Sequence, residues 1–141
     1  MGAETPKQYL SLGKYPIVAY SALAFQRCPI VDAIAVVSAA EYATSLEESL
    51  RAYGVDKLRG VVAGGENRQE SCYLGLVALA AAPDDIVLIH DAVRPLVSEE
   101  TILRCARAAG RLGAANTVVP STDTLLFSED GVTMGLSLIH I

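Results

Sequence analysis

Cysteine is scarce: the 141 residues hold three, Cys28, Cys72 and Cys105, odd in number, widely spaced and without a C-x-x-C pair. Each sits in an apolar, helix-like context, so they read as reduced core residues rather than a disulfide frame or a zinc site. No apolar run approaches the ~18 residues of a membrane helix. The longest, near Leu76 to Ala82, is broken by Pro83, Asp84 and Asp85. The opening MGAETPKQYL lacks a basic region followed by an apolar stretch, and lacks an Arg-rich amphipathic pattern, so no targeting segment is expected. Positive charge is in deficit, with 11 Lys and Arg against 16 Asp and Glu and a net charge of −5. No basic stripe of the kind nucleic-acid binders carry appears. Repeats, low-complexity tracts and linkers are also missing. What the chain does have is apolar residue, 52% of the total with mean hydropathy +0.37, enough to fill a core at one-domain length. A small, soluble, cytosolic domain is the expectation.

Strand-like and helix-like stretches alternate. Pro16 suits the first turn of a helix in which Ile17, Tyr20 and Ala24 recur at helical spacing as far as Arg27. Ala33 to Val37 is a short β-branched run, predicted to be a strand buried on both faces. Tyr42, Leu46, Leu50 and Tyr53 share a helical stripe, and Gly54 follows as the stop. Arg59 to Ala63 reads as strand, and Glu70 to Ala82 as helix with Cys72, Leu76 and Leu79 inward. Ile86 to Ile89 is the clearest buried strand. Ser98 caps a helix whose first turn carries Glu99 and Glu100, although Thr101 in place of Glu leaves the capping box incomplete. Ala115 to Val119 and Thr124 to Phe127 close the series as strands, the latter running into the turn SEDG. Such alternation implies βαβ units, hence an α/β fold with a mostly parallel sheet and helices on both faces. Ligands bind such sheets at the carboxyl ends of the strands, which directs attention to the loops after Ala63, Ile89 and Val119.

Those loops hold the unusual residues. GGENRQES, Gly64 to Ser71, follows a strand and opens a helix: its glycines permit close backbone approach, and helix-start amides suit an anionic or polar group. It is neither a Walker A nor a G-x-G-x-x-G sequence, and a plain turn with Arg68 in solvent is the other reading. HDAVRP, His90 to Pro95, places Asp91 where α/β enzymes hold a metal or a substrate hydroxyl, or where a carboxylate simply caps local amides. His90, alternating away from Asp91, reads as a packing or orienting residue. Arg94 can clamp a phosphate or serve a structural ion pair. Lys7, beside Pro6, can stabilise charge on a phosphate or merely face solvent. PSTDT, Pro120 to Thr124, is a further polar cluster.

Together and in this order, MGAETPKQYL, GGENRQES, HDAVRP and PSTDT resemble the 2-C-methyl-D-erythritol 4-phosphate cytidylyltransferases of non-mevalonate isoprenoid biosynthesis, from Met1 to about Gly131. The resemblance implies a Rossmann-like nucleotidyltransferase fold and a cytoplasmic homodimer. It also implies a reaction in which CTP and a polyol phosphate, with Mg²⁺, give a CDP-linked polyol and pyrophosphate. It makes Lys7 the catalytic lysine, and Gly2, Gly65, Glu66, Ser71 and Ala92 nucleotide-binding residues. Asp91 becomes the metal ligand, with Arg94, Asp123 and Thr124 on the acceptor side. The family begins with a strand and a Gly-rich loop ending in Arg-Met-Gly, so residues 1–135 are expected to be an incomplete domain without that first strand. Such a chain is expected not to turn over CTP alone, and Ala33–Val37 and Ile86–Ile89 would each want a ladder partner. Leu125 and Leu126 stand where the family carries an apolar residue and a lysine, which keeps a ribitol-5-phosphate cytidylyltransferase open. A non-catalytic nucleotide-binding protein is the alternative of another class. Leu136 to Ile141 is similar to the translation of a transposase end sequence used in sequencing libraries, which implies a non-native tail.

Overall fold

The computed structural model describes residues 6–119, 125–127 and 136–138. A 3-10 turn, Lys7–Tyr9, leads into a small antiparallel hairpin, β1 (Ser11–Leu12) and β2 (Tyr15–Pro16), closed through Gly13 at φ +64°. Helix α1 (Ile17–Arg27) follows directly, with Pro16 as its extended cap residue rather than part of its first turn. Its buried face is Val18, Ala19, Ala22 and Ala24, rotated from the expected stripe, because Tyr20 instead lies edge-on to Tyr15 and its hydroxyl donates to the Leu12 carbonyl. Two aromatic rings on the hairpin side set that rotation.

The sheet at the centre is parallel. β3 (Ile34–Ser38) pairs with β4 (Leu58–Ala63) in the register Ala35↔Gly60, Val36↔Val61, Val37↔Val62. The crossover between them is α2 (Ala40–Ala52), which ends on Tyr53 with Gly54 at φ +86°, as the sequence pattern predicts. Alternation along β3 sends successive side chains to opposite faces. Val36 joins the core of Val18, Ala19, Ala22, Leu46, Leu50, Val55 and Leu58 beneath α1 and α2. Val37 meets the other face, where a Cβ on Gly75 of α3 (Arg68–Leu79) would come within 2.9 Å of its Cγ2. Helices therefore cover both faces of an α/β sheet. Helix α4 (Glu99–Leu112) completes the helical set, with Ser98 Oγ accepting from the Thr101 amide.

Several sequence-based expectations are corrected. Helix α3 stops at Leu79, not Ala82, through Ala80 at φ +50°: Pro83 has no amide to bond the Leu79 carbonyl and its ring would crowd it. The side of α3 that reaches burial is Gly75; Cys72 and Leu79 are half-buried and Leu76 is exposed. Cys28 is fully buried and unpaired, but Cys105, like Cys72, is only half-buried. Ile86–Ile89 forms no strand, and Ala115–Val119, exposed throughout, forms none either. A strand is a ladder before it is a sequence, and among the described residues nothing pairs with either run. β3 is correspondingly half-buried rather than enclosed, because its outer edge faces a cavity of about 970 Å³ whose far wall is Val87 to Ala92. Thr124 and the SEDG turn lie outside the described residues. β5 (Leu125–Phe127) pairs antiparallel with β6 (Leu136–Leu138).

Candidate active site

Three segments meet at the carboxyl ends of β3 and β4. The first is the Lys7–Tyr9 turn. Tyr9 stacks on Tyr42 of α2, ring centroids 4.1 Å apart, and its hydroxyl bonds Ser38 Oγ at 2.7 Å at the end of β3. This fixes the turn whose first residue is Lys7, exposed and free to reach outward. Sequence reasoning missed the role of Tyr9; only its place two residues after Lys7 pointed to it.

The second segment is the Gly64–Ser71 loop after β4. Gly64 donates its amide to the Ser38 carbonyl at 2.8 Å, extending the ladder one step. Asn67 caps α3 by accepting from the Glu70 amide at 2.9 Å, while Ser71 Oγ accepts from Gly65 N at 3.1 Å and a Glu70 carboxylate oxygen from Glu66 N at 2.8 Å. Of the helix-start amides, that of Glu70 is thus taken by the Asn67 cap, and the loop amides of Gly65 and Glu66 ahead of the helix are taken by Ser71 and Glu70. A Cβ on Gly65 would overlap the Glu70 side chain, so a larger residue there would displace that carboxylate from Glu66 N. Gly65 and Ser71 line the large cavity; Glu66 is exposed beside it.

The third is His90–Pro95. His90 Nε2 bonds the Arg94 carbonyl at 3.0 Å and its ring lies 5.2 Å from that of Phe25, so it shapes the turn. Ser21 of α1 donates to the Ala92 carbonyl at 3.2 Å. Asp91 has both carboxylate oxygens engaged: Oδ1 accepts from Arg68 Nη2 at 2.8 Å and Oδ2 pairs with Arg94 Nε at 3.0 Å. The Arg68 guanidinium holds the Asp91 carboxyl below the ordinary aspartate range, against a smaller opposing effect of burial, and Asp91 in turn raises Arg68. Arg68, read from sequence as a solvated residue or part of a ligand loop, is the group that reaches across to Asp91. A second cavity of about 320 Å³ joins all three segments, with Gln8, Tyr9, Arg68, Asp91 and Ala92 in its wall. Gly2, Asp123 and Thr124 lie outside the described residues.

A parallel strand pair with helices on both faces and polar loops converging at its strand ends is a Rossmann-like α/β arrangement. Comparison sharpens this. The family model "IspD: 2-C-methyl-D-erythritol 4-phosphate cytidylyltransferase" matches residues 1–136, and the chain belongs to that family. It is 42% identical over 135 residues to the 2-C-methyl-D-erythritol 4-phosphate cytidylyltransferase of Geobacter metallireducens, covering 94% of this chain and 58% of the relative. It is 35% identical over 127 residues to a ribitol-5-phosphate cytidylyltransferase of Streptococcus agalactiae, covering 89% and 53%. The crystal structure of 4-diphosphocytidyl-2C-methyl-D-erythritol synthase from Anaerococcus prevotii superposes with a TM-score of 0.75 at 25% identity, over 92% of this chain and 56% of that one. The chain therefore spans somewhat more than half the length of the relatives it matches.

Proposed function

We propose that the protein containing this chain transfers a cytidylyl group from CTP to 2-C-methyl-D-erythritol 4-phosphate in isoprenoid precursor biosynthesis. A phosphate oxygen of the acceptor forms a bond to the α-phosphorus of CTP as the bond from that phosphorus to the bridging oxygen breaks, and pyrophosphate leaves. The observation that carries this reading is the convergence of the Lys7 turn, the Gly64–Ser71 loop and His90–Pro95 on one cavity mouth, in a chain matched by the family over residues 1–136. In such chemistry a protein mainly positions groups and neutralises charge. Lys7 meets the charge that builds at the α-phosphate. Gly65, Glu66, Ser71 and Ala92 face the nucleotide, with Gly2 on the triphosphate; Arg94 takes an acceptor oxygen, aided by Asp123 and Thr124. A cavity mouth that presents amides and hydroxyls can separate cytosine from uracil by donor and acceptor pattern.

Mg²⁺ is part of the proposal as an ion carried on the triphosphate. The described residues do not fit a protein-built cage: both Asp91 oxygens already hold arginines, and no group of three His, Cys, Asp or Glu side chains gathers among them. Magnesium is usually held by substrate phosphates with one or two carboxylates, which suits delivery by the nucleotide. A cytoplasmic homodimer, as the resemblance to the family implies, completes the reading.

Pyrophosphate release by the full-length gene product, with CTP, Mg²⁺ and each acceptor in turn, tests the function. Turnover of 2-C-methyl-D-erythritol 4-phosphate is expected. Turnover of ribitol 5-phosphate alone would favour the reading that Leu125 and Leu126 keep alive, and CTP binding without any pyrophosphate would favour a non-catalytic nucleotide binder.

A further inference from the structure

We propose that Arg68 is a positioning residue that acts through Asp91, bracing His90–Pro95 against the Gly64–Ser71 loop so that Arg94 is aimed at a phosphate-bearing ligand. The inference rests on the functional reading above only for the identity of that ligand. Arg68 is the first residue of α3, whose N-terminus is fixed by the Asn67 cap and the Glu70 and Ser71 side-chain bonds. It is therefore a side chain on a rigid base. Its Nη2 reaches 23 residues along the chain to Asp91 at 2.8 Å, joining the two loops.

Asp91 is suited to be the pivot. Its Oδ1 holds Arg68, its Oδ2 holds Arg94 Nε, and its own carbonyl accepts from the Arg94 amide at 3.0 Å. One carboxylate thus orients two guanidinium groups from different loops. Each guanidinium has five N–H donors, and the bonds to Asp91 use one nitrogen of each. Both arginine side chains are about three-quarters exposed, at 74% and 75%, while Asp91 is at 27%. The carboxylate is sheltered, the cluster carries one net positive charge, and its Arg68 and Asp91 line a cavity with Gln8 and Tyr9, with the exposed Arg94 paired to Asp91 beside them. Fork-shaped donors held in place are the arrangement that takes phosphate oxygens bidentately. Ion pairs this exposed contribute little to global stability, so the arrangement is worth more for geometry than for folding.

The test uses the full-length gene product and its variants Arg68→Gln, Arg68→Lys, Asp91→Asn and Arg68→Gln/Asp91→Asn, with two readouts. Hydrogen exchange at the Arg94 amide reports the brace itself, and NMR titration with 2-C-methyl-D-erythritol 4-phosphate reports the ligand. Arg68→Gln is expected to speed exchange at Arg94 and to weaken ligand binding about tenfold, with Arg68→Lys recovering most of both and the thermal midpoint hardly moving. Because Arg68 acts through Asp91, removing it from the Asp91→Asn chain should cost nothing further. Additive losses in the double variant would overturn the proposal, since Arg68 would then meet the ligand on its own account. Unchanged exchange at Arg94 in Arg68→Gln would overturn it as well. Failure of the full-length parent to bind the polyol phosphate would count against the substrate reading, and the exchange data would still decide the brace.

Discussion

Two β-branched runs of similar sequence promise, Ala33–Val37 and Ile86–Ile89, end in different states. The first lies in β3, bonded along one edge to β4 and covered by helices on both faces. The second has no ladder among the described residues, and Ile86, Val87 and Ile89 are exposed at 50%, 38% and 69%. Between them lies the 970 Å³ cavity, flanked by α1 on one side and α3 on the other. Apolar periodicity states which residues want to leave water; it does not supply the neighbouring strand that lets their amides and carbonyls leave with them. The functional loops sit on the boundary between the two regions, with Gly64–Ser71 attached to the paired half and His90–Pro95 to the unpaired one.

Truncating the core should separate the halves most sharply. Leu50→Ala, at a fully buried position, is expected to cost about 2–5 kcal/mol in urea unfolding. Ile89→Ala on the exposed wall is expected to change stability by no more than about 0.5 kcal/mol. Comparable losses would mean the wall is as well packed as the sheet. Lys7 tests the site in the full-length gene product: Lys7→Ala should lower kcat about 100-fold with much less change in the KM for CTP, because the charge it meets develops in the transition state. A raised KM with kcat intact would make it a ground-state phosphate ligand.

Smaller effects refine the same contrast. Gly75→Ala places a methyl 2.9 Å from Val37 Cγ2, and the crowding between α3 and β3 should destabilise the chain by about 1–3 kcal/mol in spite of alanine's better helix propensity. Asn67→Ala removes the α3 cap and should cost about 1 kcal/mol, read as a lower urea midpoint. The smallest effect is the pH response of the Arg68–Asp91 pair. Since the folded pKa of Asp91 lies below its ordinary value, the pair is intact above the ordinary aspartate range and is lost as pH falls through the depressed one. Exchange at the Arg94 amide, normalised for intrinsic rate, should accelerate over that acid window while the thermal midpoint barely responds to this pair.

Much of the paired half was legible in the sequence. The stripe Tyr42, Leu46, Leu50, Tyr53 with Gly54 behind it sets α2, and Ser98 ahead of two glutamates sets the start of α4. The β1–β2 hairpin was not, because two-residue strands leave no periodicity to read. The site was legible as a set of loops but not in its internal bonding. That Glu70 and Ser71 would satisfy the amides of Glu66 and Gly65 depends on how the loop folds back on α3. That Arg68 would find Asp91 depends on two strand ends lying close, a tertiary fact with no local signature.

Amide hydrogen exchange on the 141-residue chain tests most directly whether pairing, rather than sequence, separates the two regions. The account predicts slow exchange at Val36, Ser38 and Val62, whose amides face the partner strand in the β3–β4 pair, and fast exchange at Val87 and Ile89. Protection at Val87 and Ile89 equal to that in β3 would contradict it.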